Sequence, residues 1–339
     1  VTDASGEFST ASFTLAVSHA PVALADSWTV DGTQTLLVNS ATVGVLGNDY
    51  DVDGDTLSAA LASGPSHAAS FTLNSDGTFS YRAAAGFSGI DTFFYRATDG
   101  LGVSGLTRVS LLVNQPASIS FVQDVAAVDE NTLIGTRLRI GQFTVTDDGF
   151  GTNTIRLIGA NVANFEIDGQ NVLYLKAGSI FDYETINTLR VALTADDASL
   201  APSPDATSNV TVSIRNLNDA PVVTSLPNVT VPEDNGAGTI STAGSFFDQD
   251  GDALTYSLTV VSETGNSLPT NVDGKLFQNV AINSSTGVIS YRSLANVYGN
   301  ATLRVTVTDA GGITATTQFQ LTVTPVNDAP KVVGQSFST

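Results

Sequence analysis

Val307-Thr308-Asp309-Ala310-Gly311-Gly312 leads into Phe319-Gln320-Leu321-Thr322-Val323, and then into Asn327-Asp328-Ala329-Pro330. The first stretch is turn-like. The second alternates apolar and polar residues, the period-two mark of a strand with one buried face. The third ends on proline, which lacks an N–H donor and suits a boundary better than a central strand. The same order recurs along the chain. Val1-Thr2-Asp3-Ala4-Ser5-Gly6, Ala97-Thr98-Asp99-Gly100-Leu101-Gly102 and the looser Thr194-Ala195-Asp196-Asp197 repeat the first signal. The key aspartates then stand at 3, 99, 196 and 309, in steps of 96, 97 and 113. Alternating runs follow at Phe13–Val17, Val109–Val113 and Val210–Ile214, and junctions at Ala20-Pro21, Gln115-Pro116 and Asn218-Asp219-Ala220-Pro221.

A period of this length, with turn residues between short strands, predicts tandem all-β sandwiches. Glu, Lys, Gln and Met are scarce, Val, Thr, Ser, Gly and Asn abound, and no amphipathic helix stands out. The expected division is residues 1–19 as the last strands of one repeat, 20–115, 116–218 and 219–328 as three whole repeats, and 329–339 as the first strand of another. Both ends cut through repeats, so the chain reads as an interior stretch of a longer polypeptide.

The 339 residues carry 33 acidic and 13 basic side chains, a formal charge of −20. Nucleic acid and anionic membrane surfaces are repelled by such a field, and cations are attracted to it. Charged residues are 14% of the chain and hydrophobic ones 42%, so this is a folded protein with acidic clusters rather than a disordered acidic tail. There is no cysteine, which excludes disulfides, thiolate metal sites and cysteine nucleophiles. No apolar run approaches 18 residues, so no membrane insertion is expected.

Asp51-Val52-Asp53-Gly54-Asp55 and Asp248-Gln249-Asp250-Gly251-Asp252 are near-identical loops. Alternating aspartates with a glycine let several oxygens converge on one hard cation, and calcium tolerates such a flexible all-oxygen cage better than magnesium. Two histidines and no thiolate disfavour transition metals. The competing reading is a solvated acidic turn, since Asp and Gly are good turn residues.

The middle repeat resembles a cadherin domain. Asp129-Glu130-Asn131 lies where cadherins carry an acidic residue near the first strand, Phe181-Asp182-Tyr183-Glu184 resembles their Asp-Arg-Glu motif, and Asn216-Leu217-Asn218-Asp219-Ala220-Pro221 resembles their Asp-X-Asn-Asp-X-Pro linker. In the third repeat Asp248 and Asp250 match Asp-X-Asp, and Asp309 matches the later aspartate. The resemblance implies calcium held by Glu130, Asp182, Glu184, Asn216, Asn218 and Asp219 with Asp248, Asp250 and Asp309. The first repeat, with Asn48-Asp49-Tyr50-Asp51 and Asp76-Gly77-Thr78-Phe79, resembles cadherin-like repeats of giant, RTX-like adhesins exported by type I secretion. The third, with Phe247-Asp248 and Leu254-Thr255-Tyr256, resembles a dystroglycan-type cadherin-like module. By the same resemblance Asp51, Asp53, Asp55, Asp99, Asp147 and Asp196 are further candidate calcium ligands, as are Asn327 and Asp328 with Glu233 and Asp234. Departures reduce what is expected at two linkers. Val113–Ser118 keeps Asn114 but has no aspartate, Val17–Pro21 has none either, and Thr146-Asp147-Asp148-Gly149 stands in place of Asp-X-Asp. Fewer or weaker calcium ions are expected there.

Other chemistries have weaker signals. A Ser-His-Asp site would have to use His19 at a junction or His67 in a Ser/Ala/Gly-rich turn, and the paired carboxylates fall in repeated loops, which suits a metal more than glycoside hydrolysis. Gly149-Phe150-Gly151 and Gly311-Gly312 lack the Lys-Ser/Thr of a phosphate loop. Trp28 with Phe93, Phe94 and Tyr95 reads as sandwich core before it reads as a sugar-stacking face. The expected function is a non-enzymatic, calcium-rigidified spacer in a secreted bacterial cell-surface adhesin, serving adhesion or biofilm formation. A self-assembling filament or sheath, with other copies of the chain as partners, and an array binding surface glycans are the alternatives.

Overall fold

A computed structural model describes residues 4–6, 10–12, 17–201, 203–266 and 274–329. The alternating run at Phe13–Val17, apart from Val17, the first key aspartate Asp3 and the stretch 330–339 lie outside the described residues.

The chain is all-β. Among the described residues the helical segments are two short 3₁₀ turns, Ala41–Val43 and Val162–Asn164. Three of the alternating runs fall in long strands, Thr107–Asn114, Ala206–Arg215 and Thr314–Thr324. Their apolar positions are sealed: Val109, Leu111, Val113, Val212 and Leu321 are 0% exposed. Burying each such side chain contributes about 1.5–3 kcal/mol, and the alternation fixes which face of each strand turns inward.

Residues 26–114 form two sheets. One orders Asp26–Asp31, Thr107–Asn114, Gly89–Thr98 and Ser58–Ser63; the other orders Thr35–Val38, Phe79–Ala83 and Ala68–Leu73. Phe79, Tyr81, Phe93, Tyr95 and Leu111 fill their core. Trp28 packs edge-on to Phe79 at 4.8 Å and belongs to that core. Residues 118–215 form a sheet of Phe165–Ile167, Val172–Leu175, Leu138–Thr146 and Ser118–Gln123, and another of Asn153–Ile158, Thr188–Asp197, Ala206–Arg215 and Ala127–Asp129. Residues 222–324 form Val229–Pro232, Thr314–Thr324, Gly299–Thr308 and Thr255–Gly265, a second sheet of Ala237–Ile240, Ile289–Ser293 and Phe277–Ile282, and the pair Val222–Val223 with Phe246–Phe247.

Among the described residues most ladders are antiparallel, but where a repeat's first strand meets its last the pairing is parallel. Asp26–Asp31 runs parallel to Thr107–Asn114, and Val229–Pro232 parallel to Thr314–Thr324. A first strand that joins the last strand of its own repeat has the rest of that repeat as its crossover, so no hairpin constrains its direction.

The chain divides into two compact units. The first comprises Val1–Val128, Thr132–Phe181 and Thr188–Ile214; the second comprises Asp129–Asn131, Asp182–Asn187 and Arg215–Thr339.

Candidate metal centre

In the second unit, Glu130 follows the strand Ala127–Asp129 and is 0% exposed. A buried carboxylate is costly unless it is well bonded. Glu130 Oε2 accepts the Tyr183 N–H at 2.7 Å, and Oε1 accepts the Leu217 N–H at 2.6 Å. These bonds fix the carboxylate beside two others, and oxygens of Glu130, Glu184 and Asp250 all lie within 4.8 Å of one another. At that range two like charges repel by about 1 kcal/mol in water and by several times that near a protein surface.

Neighbouring groups tighten the cluster. The Asp219 N–H donates to Asp250 Oδ2 at 2.6 Å, and Asn131 Nδ2 donates to Asp219 Oδ1 at 2.7 Å. Burial, then the charges of Glu130, Asp250, Asp182 and Asp248, push the Asp219 carboxyl above its ordinary value. Glu184 is raised by burial and then by Glu130 and Asp250. Asp182 is held low, chiefly by the Thr185 hydroxyl, which donates to its Oδ2 at 3.0 Å. Asn218 Nδ2 donates to Asp309 Oδ2 at 2.9 Å. Burial pushes Asp309 up, but the Asn218 amide and the N–H groups of Ile313, Gly312 and Gly311 outweigh it and hold the carboxyl low. Asp248 Oδ2 is buried with no hydrogen-bond partner. Asn216, Leu217, Asn218, Asp250 and Asp252 line an open cavity of about 310 Å³. Asp252 belongs to the acidic loop read from the sequence but not to the ligands the resemblance implied, because its closeness to the linker is invisible there.

The first unit holds two related arrangements. Oxygens of Asp51, Asp53 and Asp55 also lie within 4.8 Å of one another, and Asp51 Oδ2 is buried and unpartnered. The His19 N–H donates to Asp53 Oδ2 at 2.6 Å, and His19 Nδ1 lies 3.1 Å from both Asp53 oxygens. The His19 N–H, then its ring, holds the Asp53 carboxyl low. Ser18 Oγ donates to Asp99 Oδ2 at 3.3 Å. Farther along, the Gln115 N–H donates to Asp148 Oδ2 at 2.8 Å, and Asn114 Nδ2 to Asp197 Oδ2 at 2.7 Å.

These contacts align the three linkers. His19, Gln115 and Asp219 give their N–H to Asp53, Asp148 and Asp250, while Ser18, Asn114 and Asn218 reach Asp99, Asp197 and Asp309. The late aspartate of the middle repeat is therefore Asp197 where the sequence pointed to Asp196, and its acidic loop is one residue shorter, Asp147-Asp148 for Asp51-Val52-Asp53. Asp197 is 1% exposed and pairs with Asn153 across the ladder. Asp147 Oδ1, Asp196 Oδ1 and Asn114 Oδ1 are buried without partners, as Asp51 Oδ2 and Asp248 Oδ2 are. Glu233 repeats the Glu130 pattern: it is 5% exposed, Oε1 accepts the Val326 N–H at 2.9 Å, and Oε2 is unpartnered. Asp234 Oδ1 accepts the Asn296 N–H at 2.9 Å, and Asn327 and Asp328 lie exposed.

Orphaned buried oxygens are rare in folded proteins, since each costs about 1–3 kcal/mol. A cation bound at each cluster would satisfy the orphaned oxygens there. The donors are carboxylates, amides and carbonyls, which fit a hard ion such as calcium.

Two further clusters surround titratable groups. Asp26, on the strand Asp26–Asp31, is pushed up to about 7 by burial and then by the charge of Asp49. The Tyr95 hydroxyl oxygen lies 2.8 Å from Asp49 Oδ2 and 2.7 Å from Val45 O. Ser66, His67 and Asp91 also meet. Ser66 Oγ is 3.0 Å from His67 Nδ1, and Asp91 Oδ1 is 3.6 Å from that same nitrogen. A hydrolytic relay puts nucleophile and carboxylate on opposite ring nitrogens, so this trio is not one. His67 instead stacks on Phe87 at 4.1 Å.

Residues 18–115 match the family model of the bacterial cadherin-like domain, and residues 218–322 match that of the bacterial Ig domain. No curated protein matches the chain. Similar solved structures include protocadherin gammaB7 EC3-6, at 19% identity and a TM-score of 0.44, covering 88% of this chain and 72% of that one. Mouse cadherin-23 EC22-24 is 18% identical with a TM-score of 0.44, covering 91% and 99%. The chain thus contains one stretch similar to bacterial cadherin-like domains and another similar to bacterial Ig domains. Among the described residues no helix is long and apolar enough to cross a membrane.

Proposed function

We propose that this chain is a calcium-stiffened, extracellular spacer region of a bacterial adhesion-type surface protein, with repeats at 20–115, 116–218 and 219–328. The observation that carries this reading is the convergence of Glu130, Glu184 and Asp250 within 4.8 Å, beside the unpartnered Asp248 Oδ2. Their ligand atoms come from separate stretches of chain: Glu130 and Asp182–Glu184, the linker Asn216–Asp219, the loop Asp248–Asp252, and Asp309. An ion held by all of these ties the stretches together and relieves the repulsion that raises Asp219 and Glu184. Asp51, Asp53, Asp55 and Asp99 supply a second position, and Asn114, Asp147, Asp148 and Asp197 a lesser one. Extracellular calcium suits modules of about 10⁻⁴–10⁻³ M affinity. The spacer would hold an adhesive region away from the cell, with calcium and the neighbouring repeats as its partners.

The test is a thermal melt with calcium, magnesium or EGTA. A ligand that binds only the folded state stabilises it by about 2.7 kcal/mol at one hundred times its dissociation constant. Calcium is expected to raise the melting transition of the second unit where equal magnesium does not. Asp250→Asn should weaken calcium binding by tenfold or more, about 1.4 kcal/mol. Equal melts in calcium and EGTA would sink the proposal and leave the loops as solvated turns.

A further inference from the structure

The two linkers that join whole repeats are built differently. In the second unit the Glu130 N–H donates to Arg215 O at 3.2 Å, and near the end of the chain the Glu233 N–H donates to Thr324 O at 2.9 Å. Each glutamate then uses Oε1 to accept an N–H two residues farther along, from Leu217 and Val326. In the first unit the same backbone bond is made by Gly32, whose N–H donates to Asn114 O at 2.8 Å. Gly32 has no carboxylate to offer, and two residues beyond Asn114 stands Pro116, which has no N–H to give. Acceptor and donor are missing together.

The Gln115 side chain stands where the glutamate would be. Its Nε2 donates to Phe87 O at 2.6 Å, and a Cβ placed on Gly32 would run into its amide group. The loop it reaches, Ala84-Ala85-Gly86-Phe87-Ser88, carries no acid, whereas Asp182-Tyr183-Glu184 supplies two at the other linker. The backbone of the same residue faces the other way, its N–H on Asp148 Oδ2. Asn114, 1% exposed, adds two bonds from Nδ2, to Asp197 Oδ2 at 2.7 Å and Ser199 Oγ at 3.0 Å. The linker is also tighter. Asn114 does at one position what Arg215 and Asn218 divide between positions three apart, accepting the strand N–H and reaching the late aspartate.

We propose that Asn114 and Gln115 form a direct latch that holds the first linker without the glutamate half of a cation cage, so that this chain carries two joints of different chemistry. The proposal rests on the calcium reading of the second linker for its contrast, but the latch itself rests on the Gln115 contacts. Loss of calcium then loosens the contacts of the second linker first and leaves those of the first in place.

Amide hydrogen exchange on the full 339-residue chain decides this. The reporters are the N–H groups of Gly32 and Gln115 for the first linker, and of Leu217 and Asp219 for the second. Replacing calcium with EGTA should speed exchange at Leu217 and Asp219 at least tenfold, and at Gly32 and Gln115 less than threefold. Gln115→Ala should speed Gly32 exchange at least tenfold in both buffers, with the strand Gly89–Thr98 unchanged as the control for folding. Gly32→Ala, which pushes the amide aside from the opposite surface, should do the same if Gln115→Ala disturbs the core. Equal sensitivity of both linkers to EGTA, or unchanged exchange of the N–H at position 32 in both variants, overturns the latch. Insensitivity of Leu217 and Asp219 to EGTA instead overturns the calcium reading, and the two variants still decide the latch.

Discussion

The Tyr95 hydroxyl makes short contacts with both Val45 O and Asp49 Oδ2, which together need two hydrogens, and it has one. A proton on Asp49, itself raised by burial, would supply the other, and burial with the charge of Asp49 pushes its neighbour Asp26 up to about 7. Because that folded-state value stands above the ordinary 3.8, the stability it contributes is complete below about 4 and is lost as pH rises through about 7. In calcium-free buffer the first unit should therefore melt progressively lower from pH 5 to pH 8, and Asp26→Asn should flatten that slope. An unchanged slope in Asp26→Asn would show that Asp26 is ionised throughout. Asp91 is the contrasting case at the same scale. It is 2% exposed, yet accepts the Tyr81 hydroxyl at 2.9 Å and the N–H groups of Ser66, His67 and Thr92. Burial pushes it up and these bonds together hold it below its ordinary value, so its contribution is lost only at strongly acid pH, outside the window that isolates Asp26. Neither environment was legible in the sequence. Asp26 and Asp49 are brought together by a strand and a loop far apart in the chain, and nothing in either local pattern marks the meeting.

Strands were the most legible level, because a period of two needs only neighbouring residues to show itself. Val109–Val113, Val210–Ile214 and Phe319–Val323 each alternate, and each proves to have its apolar side sealed. Pairing was less legible. The parallel register of Asp26 with Val109 depends on a partner that lies more than eighty positions away. The same holds for close approaches. Gly141 interrupts Leu138–Thr146 at a bulge, and a Cβ there would strike Val122 O and the Phe121 ring. In sequence it is one glycine among 30. Gly141→Ala forces the strands Leu138–Thr146 and Ser118–Gln123 apart, and overpacking of this kind costs about 1–3 kcal/mol. A chemical denaturation midpoint for the first unit that matches the unsubstituted chain would show that the ladder yields without cost. The candidate site divides in the same way. Asp51, Asp53, Asp248 and Asp250 could be read from their spacing. Asp197 could not be told from Asp196, because only the cross-strand pairing with Asn153 and the contact with Asn114 single it out.

At the scale of the molecule, the formal charge of −20 offers two explanations for any effect of calcium: general screening of the whole acidic surface, or occupation of built sites. They separate by their dependence on ordinary salt. Screening follows ionic strength, with a Debye length of about 10 Å at 0.1 M and 3 Å at 1 M, whatever the cation. The close carboxylates of Glu130, Glu184 and Asp250 lie within 4.8 Å of one another, about half a Debye length at 0.1 M salt, so most of their repulsion survives there. Burial also keeps mobile ions from Glu130, which is 0% exposed, and from the orphaned Asp248 Oδ2. Raising sodium chloride from 0.1 M to 1 M in EGTA should therefore recover less than half of the stabilisation that millimolar calcium gives the second unit. Magnesium at the calcium concentration should behave like the sodium control, because it dehydrates reluctantly and demands a near-octahedral shell that a loop-built oxygen cage does not impose. Differential scanning calorimetry across the three salts measures this. If sodium chloride reproduces the calcium effect in full, the acidic loops act only through the summed field of the chain, and the stiffness of the spacer would follow ionic strength instead of calcium.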